Sequence, residues 1–148
     1  MRSLVLTYKD IPGYEGQYGI NVYGTICSFE RIANDGRRVK GCWIKPSYDR
    51  DGYRRVSLLK SGRNTGKNFR VARLLLQTWQ PQTEDNLVVN HIDGNKTNDS
   101  LQNLEWVTVK ENTQHAWKLG LCKPYDRKQE YNRQGIIDSN KRRRKCGI

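Results

Sequence analysis

Residues 87–108 contain two apolar runs separated by a polar loop, and this pattern constrains the fold more than any other stretch of the chain. The runs LVVN (87–90) and LEWVT (104–108) each predict a short β-strand. The intervening DGNKTNDS (93–100) is rich in turn-forming residues. Two short strands joined by one polar loop predict a β-hairpin.

A helix is predicted directly after the second strand. Thr108 and Glu111 have the spacing of a capping box, in which the hydroxyl caps the helix and the acid reaches back to the cap residue. Gly120 is typical of the residue just after a helix end, because glycine adopts the left-handed conformation at low cost. The pattern therefore predicts a ββα unit over residues 87–120.

The chain before this unit predicts short strands and tight turns. Three segments rich in Val, Ile, Tyr and Trp predict strands, and they are residues 20–29, 38–46 and 52–60. The sequence NDG at 34–36 predicts a hairpin turn between the first two. In the third strand apolar and polar residues alternate, so one face of the sheet is predicted to stay exposed.

One amphipathic helix is predicted over residues 69–79. Within it Ala72, Leu75, Leu76 and Trp79 recur at i, i+3, i+4 and i+7, the spacing of a helix with one buried face. This helix is expected to pack on the inner face of the sheet.

The net charge of +12 indicates a polyanionic partner, since neutralising phosphates releases condensed counterions. Residues 1–80 hold 15 Lys and Arg against 6 Asp and Glu, residues 81–122 hold 3 against 6, and residues 123–148 hold 9 against 3. A mildly acidic middle is thus flanked by two basic segments. That arrangement is expected if the flanks hold a phosphate backbone.

The cysteines and the hydropathy pattern exclude several classes. Cys27, Cys42, Cys122 and Cys146 lack CxxC spacing, so reduced thiols are predicted and no structural zinc is expected. No segment approaches the roughly 18 apolar residues of a membrane span, and the first residues lack the apolar stretch of a signal peptide. The chain is therefore expected to be soluble and cytoplasmic, without a membrane partner.

Three segments together resemble a known family. NHIDGNKTNDSLQNLEWVTVKENTQHA (90–116) is similar to the HNH motif of phage and intron-encoded endonucleases, a ββα-metal fold. IPGYEGQYGINVYGTICS (11–28) is similar to a nuclease-associated modular motif, and RVARLLLQTWQP (70–81) resembles the segment that joins the two. The resemblance covers roughly residues 8–118.

The resemblance and the element pattern predict an α+β fold in three parts. Residues 1–82 would form a DNA-binding part, in which a three-stranded antiparallel sheet packs on a helix. Residues 83–122 would form the HNH ββα-metal nuclease unit, and residues 123–148 a basic C-terminal tail. A monomer or weak dimer is expected, in the cytoplasm or nucleoid of the host cell if the chain is phage-encoded.

The resemblance also implies a role for each polar residue of the unit. His91 would be the general base that deprotonates water, since an imidazole can accept a proton near neutral pH. Asn90 and Asn112 would ligate one divalent metal ion, and Asn103 would brace the loop that orients His91. His115 lies three residues after Asn112 on the same helix face, so it is a further candidate site residue.

Asn90 departs from the aspartate that many HNH enzymes carry before the histidine. Two neutral amides bind a cation more weakly than a carboxylate and an amide, so loosely held Mg²⁺ or Mn²⁺ is expected, with phosphate completing the site. The alternative is that the Asn90 amide pairs with backbone. Asp93 would act as an acceptor near the site or as part of the DGN turn.

Basic residues around the predicted sheet and in the tail are candidates for DNA contact, because their side chains bind phosphate and arginine also recognises guanine. They are Arg37, Arg38, Arg54, Arg55, Arg63, Lys67, Arg70, Arg142, Arg143 and Arg144. The alternatives are scattered surface arginines and a solvated KRRRK tail. Trp106 and Trp117 are predicted to lie in the core.

The predicted function is metal-dependent hydrolysis of a phosphodiester bond in double-stranded DNA by a homing-type HNH endonuclease. One active site would nick one strand. Two alternatives remain at this point: a non-catalytic, sequence-specific DNA-binding regulator on the same scaffold, and an enzyme that cuts structured RNA.

Overall fold

The computed structural model describes residues 7–33, 36–60, 66–82 and 84–122, which form small antiparallel sheets and two helices. Several sequence predictions lie outside these residues: those for Asn34, Asp35, Arg63, Cys146 and the tail residues Arg142, Arg143 and Arg144. Neither helix of the described part is long and apolar enough to cross a membrane. The thiols described, those of Cys27, Cys42 and Cys122, are free.

Residues Leu101–Asn103 form a short 3₁₀ helix, and the other elements of the described residues are eleven short strands and two α-helices. In chain order they are β1 (Lys9–Asp10), β2 (Tyr18–Ile20), β3 (Ile26–Ser28), β4 (Arg31–Ile32), β5 (Arg38–Val39), β6 (Cys42–Ile44), β7 (Ser47–Tyr48), β8 (Arg54–Leu58), β9 (Lys67–Arg70), α1 (Val71–Trp79), β10 (Leu87–His91), β11 (Leu104–Thr108) and α2 (Val109–Lys118). We call the described residues before β10 the N-terminal part, and β10, β11, α2 and their connections the hairpin–helix unit.

The single three-stranded sheet predicted for the N-terminal part is not confirmed. Its strands are divided among a four-stranded sheet of order β1-β2-β3-β6, a β4-β5 hairpin and a three-stranded sheet of order β7-β8-β9. All of these pairings are antiparallel. The predicted α+β class is present, and β4 pairs with β5 on either side of the predicted turn, whereas the described residues do not form one continuous sheet.

A tight turn explains why residues 20–29 form two strands rather than one. The side-chain carbonyl of Asn21 accepts hydrogen bonds from the backbone N–H groups of Tyr23 and Thr25, both at 3.0 Å. Gly24 has a φ of +71°, a conformation that glycine adopts without steric cost. The chain therefore reverses after Ile20, and β2 pairs with β3.

Helix α1 builds the core against these sheets, as its spacing predicts. Val71, Leu75 and Leu76 are fully buried, and Trp79 donates a hydrogen bond from Nε1 to the backbone carbonyl of Ile20 at 3.1 Å. The helix begins at residue 71 because the preceding residues pair with β8 as strand β9. The same cluster includes Leu104 of β11, so the core continues into the hairpin–helix unit.

The predicted order of strand, strand and helix is confirmed. Strands β10 and β11 pair antiparallel in a register that places Asn90 opposite Glu105 and His91 opposite Leu104. The capping box is formed at Thr108, and Gly120 follows the helix with a φ of +67°.

The core prediction fails for one of the two tryptophans of the unit. Trp106 packs against the core, whereas Trp117 is 53% exposed because it lies on the outer face of α2.

The capping box gives a first testable prediction. Thr108→Ala removes the hydroxyl that accepts the Glu111 N–H, so it should lower the free energy of unfolding by about 1 kcal/mol. Chemical denaturation measures this value. Thr113→Ala is the matched control, because the Thr113 hydroxyl only adds a bond to a carbonyl of the preceding turn. Equal losses in both variants would contradict a role for the cap.

Candidate active site

A cleft of about 210 Å³ opens where the end of β10 meets the inner face of α2. Four predicted site residues line it: Asn90, His91, Asn112 and His115. An adjoining cavity of about 250 Å³ shares His91 and Asn112 with the cleft. The register of the hairpin sets the position of His91, and the capping box sets where α2 begins. Together they bring His91 and Asn112, which are 21 positions apart in the sequence, to the same cleft.

His91 is the last residue of β10 and is only 6% exposed. Its Nε2 lies 2.9 Å from Oδ1 of Asp99, which is 3% exposed. A carboxylate accepts, so Nε2 is the donor of this bond, and in the neutral imidazole Nδ1 then has the free lone pair. The arrangement fixes the ring orientation and leaves one nitrogen that can accept a proton.

Asn90 uses its amide nitrogen in a side-chain bond rather than a backbone bond. Nδ2 donates to Oε1 of Glu105 across the hairpin at 2.7 Å. Because a carboxylate accepts only, this partner identifies which end of the amide faces Glu105, and Oδ1 is the atom left to accept or to ligate. Asn90 is 5% exposed, so the bond also satisfies a buried donor.

Asn112 and His115 reach the cleft from α2. Asn112 is half-buried in the first half of the helix and lines both cavities. His115 lies one turn further along and is also half-buried. Both predicted residues of the helix therefore face the strand end that carries His91.

Asn103 does not line the cleft; it braces the loop that follows His91. Its Oδ1 accepts from the backbone N–H of Asp93 at 3.1 Å, and its Nδ2 donates to the Asp93 carboxylate and to the backbone carbonyl of Asn98, both at 2.9 Å. Its backbone carbonyl accepts from the N–H of Ile92 at 2.9 Å. These bonds tie both ends of the loop together.

Asp93 belongs to this brace rather than to the cleft wall. Hydrogen bonds from the Asn98 side chain, the Asn95 N–H and the Asn103 side chain hold the pKa of Asp93 below its usual value. Gly94 follows with a φ of +72°, and its N–H donates to the carbonyl of His91 at 2.9 Å. Of the two roles considered for Asp93, the turn is the one that the geometry supports.

Tyr53, from the N-terminal part, forms a further wall of the cleft. Its ring centre lies 5.9 Å from that of His91. The guanidinium of Arg70 sits 3.9 Å from the Tyr53 ring centre, and the ammonium of Lys96 sits 5.0 Å from it. Cation–π contacts from these two side chains hold the Tyr53 ring in place.

The predicted DNA-binding residues fall into two groups in the described part of the chain. Arg37, Arg38 and Lys67 are exposed on strands or turns, and Arg55 is half-buried on β8. Arg38 also donates from Nε to the exposed acid Glu30 at 2.7 Å, and Arg54 and Arg70 are bound to more buried acids of the chain. Arg54 Nη1 lies 3.5 Å from the buried carboxylate of Asp99, and Arg70 Nη2 lies 2.9 Å from that of Asp49.

Asp99, Glu105, Tyr53 and Lys96 are the site residues that the sequence analysis missed. The register of the hairpin places Glu105 opposite Asn90, so pairing the two predicted strands residue by residue from the loop outward could have identified Glu105. Asp99 carried no signal, because an acid in a polar loop is ordinarily exposed. Tyr53 lies 38 residues from His91 in the sequence, and only the packing of the two parts brings them together.

A histidine at the end of a hairpin strand, facing a helix-borne amide, is the arrangement of a ββα-metal nuclease site. Two family models match the chain, the HNH endonuclease model over residues 79–114 and the NUMOD4 motif over residues 7–58. The chain is 37% identical over 115 residues to the DNA endonuclease I-HmuI of Bacillus phage SP01, across 78% of this chain and 60% of that protein.

A solved structure of the HNH homing endonuclease I-HmuI, described as showing DNA binding and cleavage, matches the fold. The TM-score is 0.66 at 33% identity, covering 90% of this chain and 68% of that one. A prophage-derived HNH homing endonuclease of Bacillus subtilis (strain 168), YosQ, is 43% identical over 70 residues, 47% of this chain and 40% of that protein. The chain belongs to the HNH endonuclease family, whose members generally use a divalent metal ion. It spans 60% of the length of the phage endonuclease.

Proposed function

We propose that this protein is a metal-dependent endonuclease that hydrolyses one phosphodiester bond in double-stranded DNA. The observation that supports this most directly is the cleft in which His91, Asn90 and Asn112 meet. The relatedness to I-HmuI supports DNA as the substrate. One active site per chain is consistent with nicking of one strand by a monomer.

The side chains of the cleft fit a hard divalent cation. Asn90 turns its amide nitrogen toward Glu105 and keeps its carbonyl oxygen available, and Asn112 brings a second amide to the same cleft. Oxygen donors of this kind suit Mg²⁺ or Mn²⁺. Asn90 and Asn112 would hold the ion together with a phosphate oxygen, and the bound ion would supply electrostatic stabilisation of the departing oxygen.

The residues of the chain itself account for the proton transfer and its geometry. His91 accepts a proton from water as the water oxygen forms a bond to phosphorus. The bond from phosphorus to the 3′ oxygen breaks, and that oxygen takes a proton from solvent, which leaves a 3′ hydroxyl and a 5′ phosphate. Asn103 holds the loop after His91, and Asp99 holds the ring.

Exposed cations of the N-terminal part would grip the DNA backbone. Arg37, Arg38, Arg55 and Lys67 lie on its strands and turns with at least part of each side chain accessible. Phosphate contacts of this type give sequence-independent affinity that falls as salt rises. The basic tail, with Arg142, Arg143 and Arg144, adds to the same interaction in this proposal.

The test is a cleavage assay with supercoiled plasmid, with Mg²⁺, Mn²⁺ or a chelator. Nicked circles with 5′ phosphate ends should appear with either metal and should be absent with the chelator. Structured RNA is the parallel substrate, and its cleavage in place of DNA would exclude the proposal. Tight DNA binding without metal-dependent cleavage would identify a non-catalytic regulator instead.

Asn90→Asp tests the metal assignment. A carboxylate at this position should tighten Mn²⁺ binding about tenfold, or about 1.4 kcal/mol. Without metal the variant should be less stable than the unaltered protein, because the new carboxylate faces the carboxylate of Glu105. In the unaltered protein Oε1 of Glu105 lies 2.7 Å from the amide nitrogen of Asn90. Titration calorimetry with Mn²⁺ and thermal unfolding measure both effects.

Asn68→Asp is the matched control for that variant. It adds the same charge at an exposed position on β9, outside the cleft, and should leave Mn²⁺ affinity unchanged. If Asn90→Asp and Asn68→Asp bind Mn²⁺ with equal affinity, the Asn90 side chain serves only as the hydrogen-bond donor to Glu105.

A further inference from the structure

The buried acid Asp99 joins the two parts of the molecule at the active site. Its Oδ1 bonds to His91, and its Oδ2 lies 3.5 Å from Nη1 of Arg54 on β8. The Asp99 side chain is 1% exposed and the Arg54 side chain 19%. A carboxylate buried this completely needs compensating partners, and here a cation of the N-terminal part supplies the opposite charge.

The backbone around Asp99 is docked on the turn between β2 and β3. The N–H of Leu101 donates to the carbonyl of Val22 at 2.8 Å, and Arg54 Nη2 donates to the carbonyl of Gly24 at 3.5 Å. A Cβ at Gly24 would lie 2.7 Å from the backbone oxygen of Asp99 and 3.0 Å from its Cβ. Glycine at position 24 therefore permits the close approach that places Asp99 beside His91.

We infer that Asp99 is a positioning residue for His91 and that the N-terminal part holds Asp99 in place, through Arg54 and the glycine turn. This rests on the proposed role of His91 as the general base. Asp99 keeps the proton of the imidazole on Nε2 and so leaves Nδ1 as the nitrogen that accepts a proton from water. The part of the chain proposed to grip DNA thus also completes the catalytic site.

Two Asp99 variants separate the hydrogen bond from the charge. Asp99→Asn keeps an acceptor for the Nε2 proton, whereas Asp99→Leu removes it and keeps the size of a buried side chain. At saturating DNA, Asp99→Leu should cleave about 100-fold more slowly and Asp99→Asn about tenfold more slowly, the range seen when a hydrogen bond that orients a histidine at a metal site is lost. DNA affinity should stay unchanged, because Asp99 is buried away from solvent.

The ring N–H proton of His91 provides a readout that does not depend on activity. The chain has two histidines, so NMR can assign their ring signals with one His115 variant. In the unaltered protein the Nε2 proton should give a downfield signal protected from exchange with water. That signal should persist in Asp99→Asn and disappear in Asp99→Leu.

Gly24→Ala and Gly13→Ala test the contribution of the N-terminal part. Both glycines have a positive φ, +71° at Gly24 and +80° at Gly13, so both alanines carry the same backbone strain. A Cβ at Gly13 meets nothing within 4 Å, whereas one at Gly24 collides with Asp99. Gly24→Ala should weaken the His91 signal and slow cleavage about tenfold, while Gly13→Ala should change neither.

The outcomes distinguish this inference from the proposed function. An unchanged His91 signal with an unchanged cleavage rate in Asp99→Leu and in Gly24→Ala overturns the inference. Should the unaltered protein not cut DNA, the proposed function fails, and the NMR signal in the two Asp99 variants still decides whether Asp99 holds the imidazole. If Asp99→Leu does not fold, Asp99→Asn and Gly24→Ala decide both points.

Discussion

The His91→Ala protein is expected to bind duplex DNA as the unaltered chain does and to cleave it about 10²- to 10⁴-fold more slowly, the usual contribution of a general base. The physical reason is that alanine removes the only cleft group proposed to take a proton from water. Affinity should be retained, because the imidazole is 6% exposed and offers little surface to DNA. Single-turnover cleavage at saturating DNA measures the rate, and a binding assay in chelator measures affinity.

A stability control belongs with this variant, since alanine at position 91 leaves the Asp99 carboxylate buried opposite Arg54 alone. Leaving a buried acceptor without its hydrogen-bond partner destabilises a protein by about 1–3 kcal/mol, and by more when the acceptor is charged. The double variant His91→Ala with Asp99→Ala removes that charge and should regain stability without regaining cleavage. Equal cleavage rates of His91→Ala and the unaltered protein, at matched folded fraction, would exclude His91 as the base.

The hairpin–helix unit could be predicted from sequence because its signals are local. Two apolar runs, one capping box and one terminal glycine specify strand, strand and helix within 34 residues. Each signal acts over at most four residues, as in the bonds between Thr108 and Glu111. With the elements in place, the approach of Asn112 to His91 follows from the geometry of the unit.

The N-terminal part was less predictable because its strands are two to five residues long and are separated by turns held by side chains. The turn after Ile20 depends on the amide of Asn21, yet Val22 and Tyr23 within it are strand-forming residues. Strands β1, β7 and β9 carry no clear alternation of their own. They form because each pairs with a neighbouring strand, β1 with β2 and both β7 and β9 with β8.

Arg54 illustrates why composition cannot separate a DNA-binding arginine from a structural one. In the sequence Arg54 and Arg55 are adjacent and equivalent candidates for DNA contact. Alternation along β8 turns Arg54 to the side of buried Val56 and Leu58, where it meets Asp99. Arg55 lies on the opposite face, with exposed Ser57. The assignment therefore depends on where Asp99 lies, which only the packed structure shows.

The second large effect is expected at Asn112. Asn112→Ala removes one of the two amides proposed to hold the divalent cation, so cleavage at limiting Mg²⁺ should fall about 100-fold, equivalent to about 2.7 kcal/mol of transition-state stabilisation. The metal concentration for half-maximal rate should rise, and excess metal should restore part of the activity. Rates measured over a range of Mg²⁺ and Mn²⁺ concentrations show both effects.

Gln114→Ala is the control for this variant, because Gln114 is exposed on the same helix and does not line the cleft. It should leave both the rate and the metal dependence unchanged. A uniform loss of rate at every metal concentration in Asn112→Ala would assign Asn112 to positioning of DNA rather than to the metal. Combining Asn112→Ala with Asn90→Asp sharpens the distinction, because a carboxylate at position 90 can compensate for a missing metal ligand but not for a missing DNA contact.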